Sequence, residues 1–515
     1  MSRRNTIITK DMIRMDMGAL EHVIVQAGGK GTRLRRYTRN RPKAIVPIYN
    51  KPMVFHLFDK FEGAKFEIIG DYKMDVLRKY LDAFSSADCT IVGTGGKGGT
   101  CSGIKEALAN IPEGKRIMLI WCDLVLDPEL EIPDSEGNLI GLSDRFECRW
   151  SYKDGRLVEE ASSERGIAGV FVFKDKSVLA DVPEEGEFVR WLSQSGIALE
   201  PFFIGDSREY GLEDRIPKSE GGKCRPFNEV VVKDGRLIKR GIDAQGVKLG
   251  ERERAWYKFV SKFGEVATPR IYGYDPLEME MINGRNIYAY DFDKDTKRRV
   301  LGKMVAALKH LHSLASVPKD DVSIMGAYYD KTVDRLKKVR NLVPYADQER
   351  ITVNGRSCRN VFFHLDELKK KIEGLKCEDF RLIHGDCTFS NMMLREGEDP
   401  VFIDPRGYFG RTELYGDPDY DWAKMYYSLK GNYDKFNIRK FDLEIKDDIT
   451  LTIESNGWED MEDEYFDLLK DEVSPEKIKL LHAVIWLSLT TYAWEDYDSI
   501  CGAFYNGIWY LEEVL

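Results

Sequence analysis

Up to about residue 220, short apolar runs alternate with amphipathic stretches. His22–Ala27 (HVIVQA), Phe66–Gly70 (FEIIG) and Cys89–Gly93 (CTIVG) are compact apolar runs and predict strands. Arg116–Leu126 (RIMLIWCDLVL) predicts a further buried strand running into Asp123. Between them, Pro52–Phe61 predicts a helix with Pro52 in its first turn, and Met74–Phe84 and Ile104–Ile111 carry apolar residues at helical spacing. Gly93–Gly103 (GTGGKGGTCSG) predicts a long flexible loop. Strands alternating with helices imply a mostly parallel sheet.

The pattern changes at Ile216–Asn228 (IPKSEGGKCRPFN), a polar Gly/Pro-bearing segment that predicts a domain boundary between residues 222 and 223. Two β-rich runs follow, joined by Asp234-Gly235, a strong hairpin signal. Beyond about residue 295 the spacing is mainly helical, in Thr296–Leu314 and in much of 465–515. The organisation is therefore an N-terminal extension (1–20), an α/β domain (21–222) and a small β-rich lobe followed by a larger helical lobe (223–515). No repeat or low-complexity run interrupts it.

Composition narrows the classes. A chain of 515 residues with 43% hydrophobic and 32% charged residues is ordinary globular material. No apolar run reaches membrane-spanning length, and MSRRNTIITKDMIRMDMGAL has no apolar core of a signal peptide. Nine cysteines without a CxxC or a Cys/His cluster predict reduced thiols in a cytoplasmic protein. A net charge of −10 argues against a nucleic-acid partner. One local exception matters: Arg33–Lys43 (RLRRYTRNRPK) has six cations and no acid.

That basic run directly follows a glycine loop, Gln26–Leu34 (QAGGKGTRL), at the end of the first strand. Glycines let backbone N–H groups approach an anion closely. Thr32 adds a hydroxyl, Arg33 a two-pronged phosphate ligand and Lys43 a compact charge. Asp123, at the carboxyl end of a core strand, is suited to Mg²⁺. Gly28, Gly29, Gly31, Thr32, Arg33 and Leu34, then Pro42-Lys43, resemble the sugar-nucleotidyltransferase family, a Rossmann-like fold, over roughly residues 20–220. The resemblance implies transfer from a nucleoside triphosphate to a phosphorylated small molecule. It implies Arg33 on the leaving phosphates, Lys43 on the α-phosphate or the attacking phosphate, and Asp123 on the metal. Asp206 is the candidate second metal carboxylate. Gly98, Gly99 and Thr100 resemble the base-contacting loop, with Gln26 and Ala27 on the other side of the base. Trp121-Cys122 stand where the family has a glycine before its metal Asp, which leaves open a nucleotide-binding domain without turnover.

A second constellation lies far downstream in LIHGDCTFSNMML and VFIDPRG. Asp386 can orient a hydroxyl and accept its proton, while Asn391 and Asp404 offer oxygens to Mg²⁺. The HGD, the Asn five residues on and the later IDP resemble the aminoglycoside phosphotransferase and choline kinase group, with a two-lobed α+β protein-kinase-like fold, over roughly residues 225–515. The resemblance implies an ATP-positioning Lys and a helix Glu, for which Lys239 and Glu253 are the candidates and Lys233 and Glu251 the competitors. It also implies a hinge at Leu277–Gly284, Asp421 as a supporting acid and His384 as a brace of the catalytic loop. Trp422, Tyr426, Tyr427, Trp486, Tyr492, Trp494 and Trp509 fit helical core packing, or else a cage for a choline-like cation.

Together the two resemblances imply a bifunctional enzyme. A kinase phosphorylates a small acceptor with ATP, and a nucleotidyltransferase uses that phosphate as nucleophile on an NTP. CTP is favoured, with UTP or GTP behind it. The product would be an activated precursor for a surface polysaccharide or lipid. An independent, antibiotic-type kinase is the rival reading. Mg²⁺ is the implied cofactor, membrane insertion is not expected, and homo-oligomerisation stays open.

Overall fold

A computed structural model of the chain describes residues 20–217, 228–470 and 472–515. The chain divides into two compact units, Met1–Pro217 and Lys218–Leu515. The expected boundary at 222/223 and the expected extension, except its last residue, lie outside the described residues.

The first unit is built on a nine-stranded sheet. His22–Gln26 runs at its centre, parallel to Lys65–Gly70 on one side and Ile117–Trp121 on the other, with Cys89–Gly93 parallel beyond Lys65–Gly70. Val23, Ile24 and Val25 are all fully buried. A parallel strand covered on both faces has no polar side to present, which is why these runs read as continuously apolar. Gly166–Phe173 adds antiparallel to Ile117–Trp121, and all eight of its residues are buried. The expected helices form as Met53–Lys60, Met74–Phe84 and Ile104–Ala109.

Two expectations need correction. The run 116–126 is not one strand. Ile117–Trp121 stays in the main sheet, whereas Leu124–Val125 leaves it to pair with Arg208–Glu209 in a separate ribbon. Cys122 N–H still donates to Gln26 O at 3.3 Å, and Tyr210 N–H donates to Asp123 O at 2.9 Å. The chain therefore changes partner at Cys122-Asp123. The segment 93–103 is not a free loop either. Gly98 O accepts from Gly186 N at 3.0 Å, Cys101 N donates to Gly186 O at 3.0 Å, and Thr100 Oγ accepts from Phe188 N at 2.8 Å.

The second unit opens with the hairpin Asn228–Lys233/Arg236–Gly241. Its turn residues Asp234 and Gly235 both have positive φ, 51° and 72°, the conformation a two-residue hairpin demands. Leu277–Glu280 and Ile271–Tyr274 complete a four-stranded sheet, and the helix Ala244–Val260 packs on it. The helical part follows as Lys294–Ser313, Lys331–Val339, Pro418–Leu429, Pro475–Leu489 and Tyr497–Leu511. Side chains of Asp243, Asp293, Asp417, Ser474 and Asp496 cap their helices. Trp422, Tyr426, Tyr427 and Trp486 are buried in this helical core, while Tyr492 is exposed.

Candidate active sites

In the first unit the glycine loop leaves the central strand at Gln26. Among the described residues, none accepts a hydrogen bond from the amides of Gly28, Gly29, Lys30 or Gly31. Four neighbouring unpaired donors in a half-open loop form a ready anion cradle. Gly31 takes φ +63°, and a Cβ there would crowd Thr38 at 2.9 Å. Thr38 Oγ donates to Gly31 O at 3.0 Å and so holds the turn. Thr32 and Arg33 project into solvent at its rim. Of the rest of the basic run, Arg35 pairs with Glu213 at 3.3 Å and Arg41 is buried, its Nε donating to Tyr37 O at 3.1 Å.

At the end of Ile117–Trp121 the structure brings together Lys43, Asp123 and Glu209. Lys43 Nζ donates to Asp123 Oδ2. Asp123 is buried, and the ribbon register sets Glu209 beside it, opposite Leu124. Burial, then the neighbouring Asp123 charge, push the Glu209 carboxyl up to about 7, despite its pair with Arg215. The two acids thus share a hydrogen bond, and one holds a proton. Gly211 lines the same spot, where a Cβ would collide with Glu209 Oε1 and lie 2.6 Å from Asp123 Oδ2. Asp206 is not part of this group. Its side chain is exposed and faces Arg145 at 3.0 Å, while its amide donates to Asp127 at 2.8 Å. The second carboxylate beside Asp123 is Glu209, three residues on. Sequence reasoning missed it because only the partner change at Cys122-Asp123 folds Arg208–Glu209 back onto Leu124–Val125.

Gln26 and Trp121 are register neighbours on adjacent strands. Gln26 Nε2 donates to Thr100 O, which ties the strand end to the loop Gly98–Thr100. That bond commits the amide nitrogen and leaves Oε1 buried without a partner. Ala27 is buried beside it. Gly99 takes φ +92°, and a Cβ there would strike the Gly186 carbonyl. Trp121 packs on Gly169, whose φ of +82° and missing Cβ make room for the indole.

In the second unit Lys239 Nζ meets Glu253 at 2.8 Å and Asp404 Oδ1 at 2.6 Å. The two carboxylates raise the ammonium above its ordinary value, against the opposing effect of burial. Lys233 and Glu251, the competitors, are exposed. Asn391 Nδ2 donates to Asp386 O at 2.9 Å and Asp386 Oδ2 at 3.0 Å, and Lys424 Nζ pairs with Asp386 Oδ1 at 3.0 Å. Asp421 is fully buried and accepts from the His384 and Gly385 amides at 2.8 and 2.7 Å and from His312 at 3.1 Å. His384 Nε2 donates to Ile403 O at 2.9 Å, so its Nδ1 faces the Asp386 amide at 3.3 Å as an acceptor. Burial pushes this imidazole below its ordinary value, which suits a neutral brace. The expected hinge contains the strand Leu277–Glu280, with Glu280 paired to Arg395 at 2.9 Å.

Both sites fit a divalent ion held partly by phosphate. No cluster of three or more His, Cys, Asp or Glu side chains able to hold a metal occurs among the described residues. Asp123 with Glu209, and Asn391 with Asp404, each offer two protein donors, as Mg²⁺ sites completed by waters and phosphate oxygens do.

Residues 23–130 match the MobA-like NTP transferase domain, and residues 230–440 match the phosphotransferase enzyme family. The chain thus joins a nucleotidyltransferase domain, built on an α/β sheet that is parallel at its centre and mixed beyond it rather than mostly parallel as expected, to a kinase-like phosphotransferase domain, and both are transferase domains. Among curated relatives, it is similar to UTP–glucose-1-phosphate uridylyltransferase AglF of Haloferax volcanii, 39% identical over 62 residues, which are 12% of this chain and 26% of that protein. It is similar also to the bifunctional protein GlmU of Methanococcus maripaludis, 37% identical over 60 residues, 11% of this chain and 15% of that one. The chain thus spans about a quarter or less of the length of these relatives. Among solved structures, the inositol-1-phosphate CTP transferase of T. maritima aligns over 38% of this chain and 91% of its own, at 18% identity and a TM-score of 0.32. No helix among the described residues is long and apolar enough to cross a membrane.

Proposed function

We propose that the C-terminal domain phosphorylates a hydroxyl of a small acceptor with ATP. The N-terminal domain then joins that phosphate to the nucleotidyl group of an NTP and releases pyrophosphate. The observation that carries this reading is the pair of assembled phosphate-handling groups in one chain. One is Lys239–Glu253–Asp404 with Asp386 and Asn391; the other is the Gly28–Gly31 amides with Lys43, Asp123 and Glu209. The first reaction makes the nucleophile that the second requires. The product would be an activated donor for surface polysaccharide or lipid decoration.

In the kinase domain Asp386 orients the acceptor hydroxyl and takes its proton, while Asn391 holds the Asp386 carboxylate in place. Lys239, fixed by Glu253, meets the ATP phosphates. In the nucleotidyltransferase domain the glycine-loop amides cradle the triphosphate. Arg33 follows pyrophosphate as its charge grows, which favours the transition state over the ground state. Lys43 meets the α-phosphate or the attacking phosphate. Mg²⁺, held by Asp123 with Glu209 and by Asn391 with Asp404, would supply neutralisation of phosphate charge.

CTP is the favoured nucleotide. The buried Oε1 of Gln26 needs a donor, and the 4-amino group of cytosine is one. Uracil at the same place would present a second lone pair, an unfavourable contact in a buried site.

The test supplies ATP, each NTP and a panel of sugars, polyols and hydroxy acids, and identifies products by mass spectrometry. Phosphorylated acceptor and its NDP adduct are expected, the adduct forming fastest with CTP. Faster turnover with UTP would remove the base assignment. Arg33→Lys keeps charge but loses the planar fork, and is expected to lower turnover more than NTP affinity. A larger loss in Arg39→Ala would show that the glycine loop grips something else.

A further inference from the structure

Four cations crowd the side of Asp386 that faces the helical lobe. Lys331 and Arg335 lie one turn apart on the helix Lys331–Val339, Lys424 lies on Pro418–Leu429, and Arg406 follows Asp404 by two residues. Tyr420 is their hub. Lys331 Nζ and Lys424 Nζ each sit 5.8 Å from its ring centroid, and its hydroxyl accepts from Arg406 Nη1 at 2.9 Å. The Arg406 guanidinium stands 5.1 Å from the Tyr408 ring centroid, and Arg335 Nη1 donates to Ser488 Oγ at 3.1 Å.

Two other part-buried or buried lysines of this domain have carboxylates of their own. Lys477 has Asp417 at 3.0 Å and Asp419 at 2.6 Å, and Lys239 has Glu253 and Asp404. Among the described residues, the carboxylate in ion-pair contact with this cluster is Asp386, at 3.0 Å from Lys424. Burial, then Arg406, Arg335 and Lys424, push the Lys331 ammonium well below its ordinary value, as the mutual repulsion of the group requires. Like charges one helical turn apart destabilise a helix, and desolvated cations without counterions are costly. A fold that keeps such a group beside the Asp386 carboxylate gains from it only when an anion arrives.

On the kinase reading above, we infer that the phosphorylated acceptor is an anionic alcohol, its hydroxyl at Asp386 and its carboxylate or phosphate group held by Lys331, Arg335 and Arg406. This excludes the choline-like cation that the aromatic residues of the sequence suggested, because an ammonium would enter a field of its own sign.

The full chain with ATP and Mg²⁺ is to be assayed on matched probes: D-glycerate against glycerol, and 2-hydroxyethylphosphonate against ethanolamine and choline. Binding of each probe to the ADP complex is measured by calorimetry. The anionic member of each set is expected to bind and react at least about ten-fold better. Arg335→Gln should cut that advantage about ten-fold, and Arg335→Lys should restore part of it, with ADP affinity serving as the control for folding. Preference for a neutral or cationic probe, no binding of either anion to the ADP complex, or anion binding indifferent to Arg335→Gln overturns the anionic acceptor and leaves the kinase reading standing. Absence of ADP binding, with no ATP turnover on any probe, overturns the kinase reading and this inference with it.

Discussion

On the proposed function, single side chains separate the two chemistries. Asp386→Ala is expected to lower acceptor phosphorylation by about 10²–10⁴-fold, the usual worth of a positioned base. Pyrophosphate release from NTP and pre-phosphorylated acceptor should persist, and its loss in a folded variant would refute the two-site reading. Glu209 carries a pH signature. Its folded carboxyl titrates near 7, above the ordinary 4.5, so the native state holds a proton that the unfolded chain has released over that interval. Stability from this group is therefore present below about pH 4.5 and is lost as pH rises through 7, by on the order of 3 kcal/mol. Denaturant melts of the metal-free protein between pH 5 and 8 should show that slope, and Glu209→Gln should flatten it. A slope unchanged in Glu209→Gln would place the shared proton elsewhere. HGD and Asn391 stand out in the sequence as candidates because their spacing is fixed and local. Glu209 does not, because nothing within DSREYGLED separates it from Asp206 until the ribbon pairs it beside Asp123.

At the scale of elements, the loops are held by groups that look incidental in the sequence. Asp421 accepts from two amides of the catalytic loop and from His312 while fully buried. Asp421→Asn keeps the shape but turns one acceptor into a donor facing an amide. It is expected to destabilise the protein by about 2–4 kcal/mol and to slow phosphorylation without altering pyrophosphate release. Thermal melts with both assays check this, and an unchanged melting temperature would mean the brace lies elsewhere. In the first domain Gly99→Ala sets a Cβ against the Gly186 carbonyl at a φ that alanine avoids. It should raise the KM for NTP several-fold at unchanged kinase rate, because Thr100 and its bond to Gln26 shift with the loop. The glycine-rich composition of 93–103 suggested freedom. The structure uses those glycines for close backbone approach instead.

At the scale of the whole chain, the expectation is separability. Asp123→Asn removes one charge from the group formed with Lys43 and Glu209 and should collapse nucleotidyl transfer while sparing acceptor phosphorylation. Near-normal pyrophosphate release would take Asp123 out of the mechanism. The complementary losses in Asp386→Ala and Asp123→Asn, assayed on one preparation, test whether a single chain runs both steps.

Local sequence determined the elements and the motifs. Strands such as Cys89–Gly93, the helix Met74–Phe84, the Asp234-Gly235 turn and the order of the two domains follow from periodicity and turn chemistry, which act over a few residues. The fixed spacing of the two candidate motifs, Gly28 to Arg33 and Asp386 to Asn391, is visible in the sequence for the same reason. Tertiary structure alone decided what meets across long separations. It broke 116–126 at Asp123 and brought Glu209 to it, chose Lys239 and Glu253 over Lys233 and Glu251, and gathered Lys331, Arg335, Arg406 and Lys424 around Tyr420. A charge cluster of that kind has no period and no turn signal. It exists only once distant helices pack, and so the sign of the acceptor emerges from the fold.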